Sequence, residues 1–454
     1  MRKVIIFYAS YGGGHLSAAK SIQKYITENY ENIETQMIDC MKYVNRPIEK
    51  MTTGAYREMA KKAPKLWGKV YEGSQKGLLS EISKDSNKLM AKNFGYEDLN
   101  PLWVADMDFK TPDFINDEII KAAKNSFYGY SIDTDELYTS IINWQKNQHN
   151  WNIEKEDIFM TNGVVPAYSA CIEAFSERGD EIIVQTPVYP PLFKYISSNN
   201  RNIVINELKN DNGYYTMDLE YLESKITPKT KILVLCSPHN PVGRVWSKEE
   251  LEKLADICIK NNIIIISDEI HSDITFKKFI PLASISEKIA MKTITLNSAG
   301  KTFNIAGLNC SYAISKNSFI LDKFKKVAQK RGINSINFFG YISTKAAYEN
   351  GALFVEELKN YIMNNFVFIK KYIEENNLKV DFQIPEATYL IWLDFKQTNL
   401  SHEEIKELLL RKSKLALNDG VSFGNNGNRY FRLNAALSKK ALEIALNQLS
   451  VSFK

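Results

Sequence analysis

The sequence lacks the features that mark three classes of protein. Its five cysteines are scattered and odd in number, without a CxxC pair, which argues against a disulfide framework or a zinc ribbon and for a reducing compartment. No apolar run approaches the roughly 20 residues that span a bilayer. No secretory pattern is present, because the apolar run at residues 4–8 is short and leads into glycines. We therefore expect a cytoplasmic protein with no metal site.

Charge is ordinary in amount but unevenly placed. Residues 1–92 hold 16 Lys and Arg against 9 Asp and Glu, whereas the rest of the chain has a net charge of −2. No internal repeat or low-complexity linker is evident, yet the sequence changes character abruptly near residue 93. This asymmetry predicts a fusion of two units with different partners or origins. No nucleic-acid partner is expected for either unit.

The first unit begins with a β-α-β pattern. Residues 3–10 predict a buried strand, Gly12 to Gly14 a tight turn before a helix, and residues 33–38 a second strand. A glycine-rich loop at a helix N-terminus presents backbone N–H groups that can hold an anion. Tight strand-to-helix turns also need glycine for steric reasons, so this signal alone leaves both interpretations open.

The sequence motifs of the first unit are more specific than its β-α-β pattern. Its segments ASYGGGHLSAAKSI, MIDC and TTGAYREMAKKAPKLWGKVYEGS resemble the start of diacylglycerol glycosyltransferases of the monogalactosyldiacylglycerol synthase type. The resemblance implies that His15 lies at a cleft between Rossmann-like domains, in what is here a partial Rossmann-like segment. It also implies a weak anionic membrane contact through basic residues around Trp67, namely Lys61, Lys62, Lys65 and Lys69. The nucleotide-sugar-binding half is absent, so a glycosyltransferase remnant or lipid-surface module is expected rather than glycosyl transfer.

The second unit alternates strand and helix patterns, as an α/β layer fold does. We expect a large, mostly parallel sheet domain over residues 93–340 and a small C-terminal α/β domain over residues 341–454. The apolar spacing of residues 338–376 predicts one long helix.

Three polar residues follow successive buried strands of this unit. Asn240 follows strand 231–236, Asp268 follows strand 263–267, and Lys301 follows strand 293–296. Ligands bind where parallel strands end, so the three side chains are expected to converge. A carboxylate after four isoleucines needs a cationic partner, and a lysine among small residues can lose its proton and attack a carbonyl.

The three residues could hold a hydroxypyridine ring, with Asn240 at O3′, Asp268 at N1 and Lys301 at the imine carbon. Each has a simpler alternative when taken singly: a turn sequence, a helix N-cap and a surface lysine.

Other residues extend this set. Val164 and Val165 open a helix whose N–H groups can bind phosphate, and Ser298 can add its hydroxyl. Tyr189 can stack on a ring face, and Arg432 can grip a carboxylate with two parallel hydrogen bonds.

Residues 94–454 are similar to the cystathionine β-lyase branch of the bacterial carbon–sulfur β-lyases. The similarity rests on PLWVADMDF, TNGVVPA, PVYPP, SPHNPVGRVW, SDEIHSD, KTFNIAGL, PEATYLIWLDF and FRLN. These lyases are fold-type I enzymes of the aminotransferase superfamily that use pyridoxal 5′-phosphate. The resemblance implies that Lys301 forms a Schiff base with this cofactor and that His271 lies beside it. It also implies a homodimer in which Tyr130 reaches the neighbouring subunit's cofactor and substrate.

Two departures from the family pattern stand out. Gly300 occupies a position where the family often has serine or threonine, which removes one phosphate contact. The family's N-terminal arm is missing, and residues 1–92 take its place.

The expected reaction is β-elimination from an amino acid, with Lys301 as general base. Cystathionine would give homocysteine, pyruvate and ammonia, a step of methionine biosynthesis. An aminotransferase uses the same parts, but the absence of arginine from residues 302–330 favours the lyase. A lipid-surface module led by residues 1–92, and a regulatory role through protein contacts, remain as alternatives.

Overall fold

The computed structural model describes residues 2–8, 13–29, 33–39, 89–129 and 134–454. The chain divides into two compact units, residues 1–92 and residues 93–454. In the first, α1 (Gly13–Asn29) connects β1 (Arg2–Tyr8) to β2 (Ile33–Asp39), and the two strands are parallel. This is the predicted β-α-β arrangement, with His15 in the first turn of α1. The basic residues 61–69 and Trp67 lie outside the described residues.

The second unit is an α/β fold. Its principal elements, in chain order, are β3 (Asn100–Pro101), α2 (Asp113–Lys124), α3 (Asp135–His149), β4 (Ile158–Thr161), α4 (Val164–Phe175), β5 (Glu181–Thr186), α5 (Pro191–Ser198), β6 (Asn202–Glu207), β7 (Lys209–Asp211), β8 (Tyr214–Thr216), α6 (Leu219–Lys225), β9 (Thr230–Cys236), α7 (Lys248–Lys260), β10 (Ile264–Asp268), α8 (Glu287–Ala290), β11 (Thr293–Asn297), β12 (Ser311–Ile314), α9 (Ser318–Lys330), α10 (Phe338–Asn350), α11 (Ala352–Glu375), β13 (Leu390–Asp394), α12 (His402–Arg411), β14 (Leu415–Ala416), β15 (Asn418–Asp419), β16 (Tyr430–Asn434) and α13 (Lys439–Phe453).

Seven strands form a mixed sheet in the order β4-β12-β11-β10-β9-β5-β6. The strands β11, β10, β9, β5 and β6 are parallel, and β12 runs antiparallel to both β11 and β4. Asp268 is aligned with Cys236 of β9 and Leu296 of β11, so three neighbouring strands end at one edge. Their middle residues are fully buried, which explains why they are near-continuous apolar runs.

A smaller antiparallel sheet, in the order β13-β16-β15, carries Arg432 on its central strand. Its apolar face packs with α11 and α13 in a core that includes Phe366 and Leu446. The short strand β3 pairs with β14, which ties residues 100–101 to this lobe.

The single helix expected over residues 338–376 is wrong, because α10 and α11 are separate helices with Gly351 between them. A Cβ atom at Gly351 would lie 2.3 Å from the ring of Phe303 and from the carbonyl oxygen of Ala347. The residue is therefore glycine because Phe303, two positions after Lys301, packs against its backbone. No helix in the described part of the chain is long and apolar enough to cross a bilayer.

Candidate active site

A cavity of about 590 Å³ lies where β9, β10 and β11 end. The structure brings nine of the ten residues predicted from the sequence to its wall: Val164, Val165, Tyr189, Asn240, Asp268, His271, Ser298, Lys301 and Arg432. Tyr130 lies outside the described residues, so its role stays a prediction.

Asp268 ends β10 and is 6% exposed. One of its carboxylate oxygens accepts the N–H of Ile270 at 3.1 Å. Burial raises the pKa of Asp268 above its ordinary value and outweighs the lowering effects of Tyr168, the Ile270 N–H and the charge of Lys301. A carboxylate that has lost its hydration through burial is stabilised by any cation that enters the cavity beside it.

Lys301 projects into the same cavity from the turn after β11. Its Nζ donates a hydrogen bond to the carbonyl oxygen of Ala105 at 2.5 Å. Burial lowers the pKa of the amine, and the positive charge of Arg432 lowers it further, against the opposing charges of Asp106 and Asp268. A desolvated amine beside another cation is more easily deprotonated, as a nucleophile or general base must be.

Arg432 reaches the cavity from β16 and is 4% exposed. Its guanidinium donates to the side-chain oxygen of Asn240 at 3.0 Å, to the carbonyl of Trp103 at 2.8 Å and to Asn418. Burial lowers the pKa of Arg432 to about 10, which leaves it charged at neutral pH. The three acceptors fix its plane, so it can meet a carboxylate in one orientation.

The N-terminus of α4 forms part of the cavity wall. Gly163 is its N-cap, and the backbone at Val164 and Val165 opens the helix toward the cavity. The Ser298 hydroxyl donates to the carbonyl of Cys310 at 2.7 Å and accepts the N–H of Gly300 at 3.0 Å. Its proton is therefore already used, and a phosphate at this end would depend mainly on backbone N–H groups.

The cavity wall includes the imidazole of His271 and several aromatic rings, among them that of Tyr189. Burial, with the charges of Lys301 and Arg432, lowers the pKa of His271 to about 3, so this side chain is uncharged at neutral pH. Burial raises the pKa of Tyr189, which keeps its phenol protonated.

Sequence reasoning missed the segment that closes one side of the cavity. Trp103, Val104 and Ala105 all line it, and the hydroxyl of Tyr389 donates to the Ala105 carbonyl at 2.9 Å. This segment belongs to the family motif PLWVADMDF, but its side chains give no indication that its carbonyl groups contact Lys301 and Arg432.

Three buried nitrogen atoms in this cavity wall have no protein partner: Trp103 Nε1, His271 Nδ1 and Arg432 Nε. Unpaired buried polar atoms are costly, and three of them in one wall distinguish it from an ordinary packed core. The cavity thus presents a carboxylate, an amine, a guanidinium and a helix N-terminus to one polar ligand with an anionic group. Pyridoxal 5′-phosphate has this chemistry, so the residues present fit that group.

Glu269 is a second buried acid next to Asp268, but it does not line the cavity. One carboxylate oxygen accepts hydrogen bonds from Ser267 Oγ at 2.8 Å and from the Leu282 N–H at 3.1 Å, while the other has no partner. Burial and, to a lesser extent, the charge of Asp268 raise the pKa of Glu269 from 4.5 to about 8, so the folded protein holds it protonated at neutral pH.

This raised pKa predicts a pH-dependent stability. The folded chain binds the Glu269 proton more tightly than the unfolded chain, so its contribution to the free energy of unfolding falls as pH rises from about 4.5 to about 8. Glu269→Gln mimics the protonated side chain, so we expect it to be more stable than wild type by about 3–5 kcal/mol at alkaline pH and similar at acid pH. Urea unfolding across this range measures both. Parallel pH curves for the two proteins would contradict the prediction.

Comparison with known proteins gives two family matches. Residues 102–449 match the family model described as aminotransferase class I and II. Residues 15–101 match the model described as monogalactosyldiacylglycerol synthase. Over 362 residues the chain is 36% identical to cystathionine beta-lyase PatB of Bacillus subtilis, and the alignment covers 79% of this chain and 94% of that protein.

Two solved structures are similar to most of the second unit. A pyridoxal-phosphate-bound putative aminotransferase from Clostridium difficile is 42% identical, with a TM-score of 0.79, and the match covers 81% of this chain and 96% of that one. Cystalysin from Treponema denticola, which contains pyridoxal 5′-phosphate, is 34% identical, with a TM-score of 0.77 and coverage of 80% and 93%.

Proposed function

The chain belongs to the aminotransferase class I and II family, and we propose that within this family it is a carbon–sulfur β-lyase that uses pyridoxal 5′-phosphate. The proposed substrates are cystathionine and related cysteine S-conjugates, in keeping with the similarity to a cystathionine beta-lyase. The observation that carries the proposal is the placement of Lys301, Asp268 and Arg432 around one cavity. Asp268 and Lys301 come from the ends of the neighbouring strands β10 and β11, and Arg432 comes from β16 of the smaller sheet.

The roles of the residues follow from their surroundings. When bound, the cofactor supplies an aldehyde and a conjugated ring that withdraws electrons from the substrate Cα. Asp268 holds a proton at the ring nitrogen, where a positive charge also relieves the buried carboxylate. Asn240 would contact the ring oxygen, and Tyr189 would cover a ring face. Val164 and Val165 would hold the phosphate through backbone N–H groups, and Ser298 would act through its contact with the Gly300 N–H.

Lys301 moves the proton that starts the reaction. With its pKa lowered by burial, its Nζ takes the proton from Cα. The electron pair of the broken Cα–H bond then forms a double bond between Cα and Cβ, and the electron pair of the bond between Cβ and sulfur leaves with the thiolate. The thiolate accepts a proton, and water then completes conversion of the remaining three-carbon unit to pyruvate and ammonia. Arg432 holds the α-carboxylate through this step, because its plane is fixed by Asn240 and Asn418.

The charge of the cavity favours the lyase over a transaminase that uses dicarboxylic acids. Among the described residues of its wall, the cationic side chains are Lys301 and Arg432, and His271 is neutral. One guanidinium matches one α-carboxylate, so a side-chain carboxylate without an ammonium group beside it, as in aspartate or glutamate, has no cationic partner there. The second carboxylate of cystathionine differs because it carries its own neighbouring ammonium group.

The test of the proposed function is product analysis with purified full-length protein. Incubation with cystathionine should release free thiol and pyruvate in equal amounts without an added keto acid. Transfer of the amino group to a 2-oxo acid without thiol release would favour an aminotransferase instead.

We also propose a homodimer completed by Tyr130 of a neighbouring subunit, to be tested by light scattering.

Arg432→Lys tests the carboxylate clamp. Lysine cannot form the planar fork that Asn240 and Asn418 orient, so we expect KM for the amino-acid substrate to rise by about 10- to 100-fold with a smaller change in kcat. Steady-state kinetics of thiol release measure this split. Arg411→Lys is the matched control, because Arg411 is exposed on α12 and pairs with Glu407. An unchanged KM in Arg432→Lys would remove Arg432 from this role.

A further inference from the structure

Asp273 forms a second buried polar cluster beside the active site. It lies five residues after Asp268 and is 7% exposed. One of its carboxylate oxygens accepts hydrogen bonds from Trp144 Nε1 at 2.9 Å and from His149 Nε2 at 2.8 Å. The other accepts the hydroxyl of Thr302 at 2.7 Å. A buried carboxylate with this many donors is firmly held in one orientation.

The charge state of Asp273 determines the direction of its bond to Thr302. Burial alone would raise the pKa of Asp273, but the hydrogen bond and charge interaction with His149, together with Thr302 and Trp144, bring the pKa below its ordinary value. The ionised carboxylate can only accept. The Thr302 hydroxyl must therefore donate its proton to Asp273, and the bond is charge-assisted.

Thr302 is the residue that directly follows Lys301, and it is fully buried. The next residue, Phe303, is also fully buried, and its ring packs against Trp144 with 5.7 Å between centroids. Its N–H donates to the carbonyl of Ala299 at 3.1 Å. Trp144 thus contacts both the carboxylate that holds Thr302 and the ring beside it.

The Asp273–Thr302 bond joins the two segments that carry the chemistry. Asp268 and Asp273 belong to the end of β10 and the turn after it, whereas Lys301 and Thr302 belong to the turn after β11. We propose that Asp273 and Thr302 are positioning residues, which fix the amine of Lys301 relative to the carboxylate of Asp268. This inference rests on the proposed function, since it assigns no reaction of its own.

The hydroxyl of Thr302 gives the sharpest test. Thr302→Val keeps the side-chain shape and leaves Asp273 without this donor, and we expect kcat to fall by roughly 10- to 100-fold with KM changed much less. Thr302→Ser restores the donor and should recover most of kcat. Thr293→Val is the matched control: Thr293 is fully buried at the other end of β11, and its hydroxyl donates to the Ile289 carbonyl at 2.8 Å.

A readout on the apo-protein separates positioning from stability. An amine-directed reagent followed by peptide mass spectrometry measures the reactivity of Lys301 directly. The proposal expects this reactivity to change several-fold in Thr302→Val and to stay at the wild-type value in Thr293→Val, although both variants lose a buried hydrogen bond. If Thr302→Val loses stability like Thr293→Val but keeps wild-type kcat and Lys301 reactivity, the proposal is wrong. The proposed function fails separately, when the wild type itself releases no thiol.

Chemical rescue tests Asp273 itself. Asp273 and His149 line a second cavity of about 430 Å³, which gives a small carboxylate room to approach. Asp273→Ala should lower kcat at least tenfold, and formate should restore part of it, because formate can bridge the donors of His149, Trp144 and Thr302. Sodium chloride at equal ionic strength is the control. Wild-type kcat in Asp273→Ala without formate overturns the proposal, and if this variant does not fold, the Thr302→Val result decides.

Discussion

Lys301→Ala is expected to lower the rate of thiol release by at least about 10⁴-fold while leaving the fold intact. The variant removes the amine that we propose takes the Cα proton. Among the described residues of the cavity wall, no other side chain carries an amine. His271 cannot replace it effectively, because its pKa of about 3 makes it a very weak base. Thiol and pyruvate assays on purified variant and wild type measure the loss.

The fold of this variant should survive, since a buried amine contributes little to stability. The Lys301 amine forgoes hydration and gains one hydrogen bond, to the Ala105 carbonyl. We therefore expect the unfolding temperature of the apo-protein to be unchanged or higher. Borohydride reduction should attach the cofactor covalently to the residue 301 peptide of the wild type and to no peptide of the variant. Lys253→Ala, an exposed residue of α7, should behave as wild type; thiol release by Lys301→Ala at a comparable rate would refute the assignment.

The sequence was sufficient to predict the strand ends because the strands concerned are unusually simple. Residues of β9, β10 and β11 form short apolar runs, and their polar followers Asn240, Asp268 and Lys301 are adjacent in both sequence order and sheet order. Parallel strands in such an arrangement must end at the same edge. The family resemblances of both units, also predicted from motifs, are confirmed by the matches to residues 102–449 and 15–101.

The remaining features depend on contacts between residues far apart in the chain. Arg432 meets Asn240 across 192 positions, and its orientation also depends on the Trp103 carbonyl, which no side-chain pattern can reveal. The strands β12 and β16 were not predicted, because β12 has only four residues and the run of β16 is interrupted by the polar Arg432 and Asn434. The break at Gly351 required knowing that the ring of Phe303 lies against it.

The role proposed for Asp273 also depends on contacts between distant residues, so the sequence did not predict it. In the sequence it is the last residue of SDEIHSD, where an acidic side chain is equally suited to a solvent-exposed turn. Only the fold shows that it is buried with Trp144 and His149 and that it faces Thr302. Two acids of one short motif therefore have different surroundings: Asp268 lines the cavity, and Asp273 accepts the hydroxyl of the residue that follows Lys301.

Asp268→Asn should reduce kcat/KM for thiol release by about 10²- to 10³-fold. The amide keeps the size of the side chain but cannot balance a positive charge at the ring nitrogen, so Cα loses the electron withdrawal on which proton removal depends. Glu269→Gln is the matched control, because Glu269 is the adjacent residue, is buried to a similar degree and does not line the cavity. Its thiol release should remain near the wild-type rate.

Thermal stability gives an independent test of Asp268, because the effect of Asp268→Asn on the unfolding temperature should differ between apo- and holoprotein. Burial raises the pKa of Asp268, so in the apo-protein its contribution to stability is lost as pH rises, and Asp268→Asn should unfold at a higher temperature than wild type at neutral pH. Cofactor binding supplies the missing cation, so pyridoxal 5′-phosphate should raise the unfolding temperature of wild type more than that of the variant. Calorimetric scans with and without the cofactor compare the two. An equal increase in both proteins would mean that Asp268 does not interact with a charge on the cofactor.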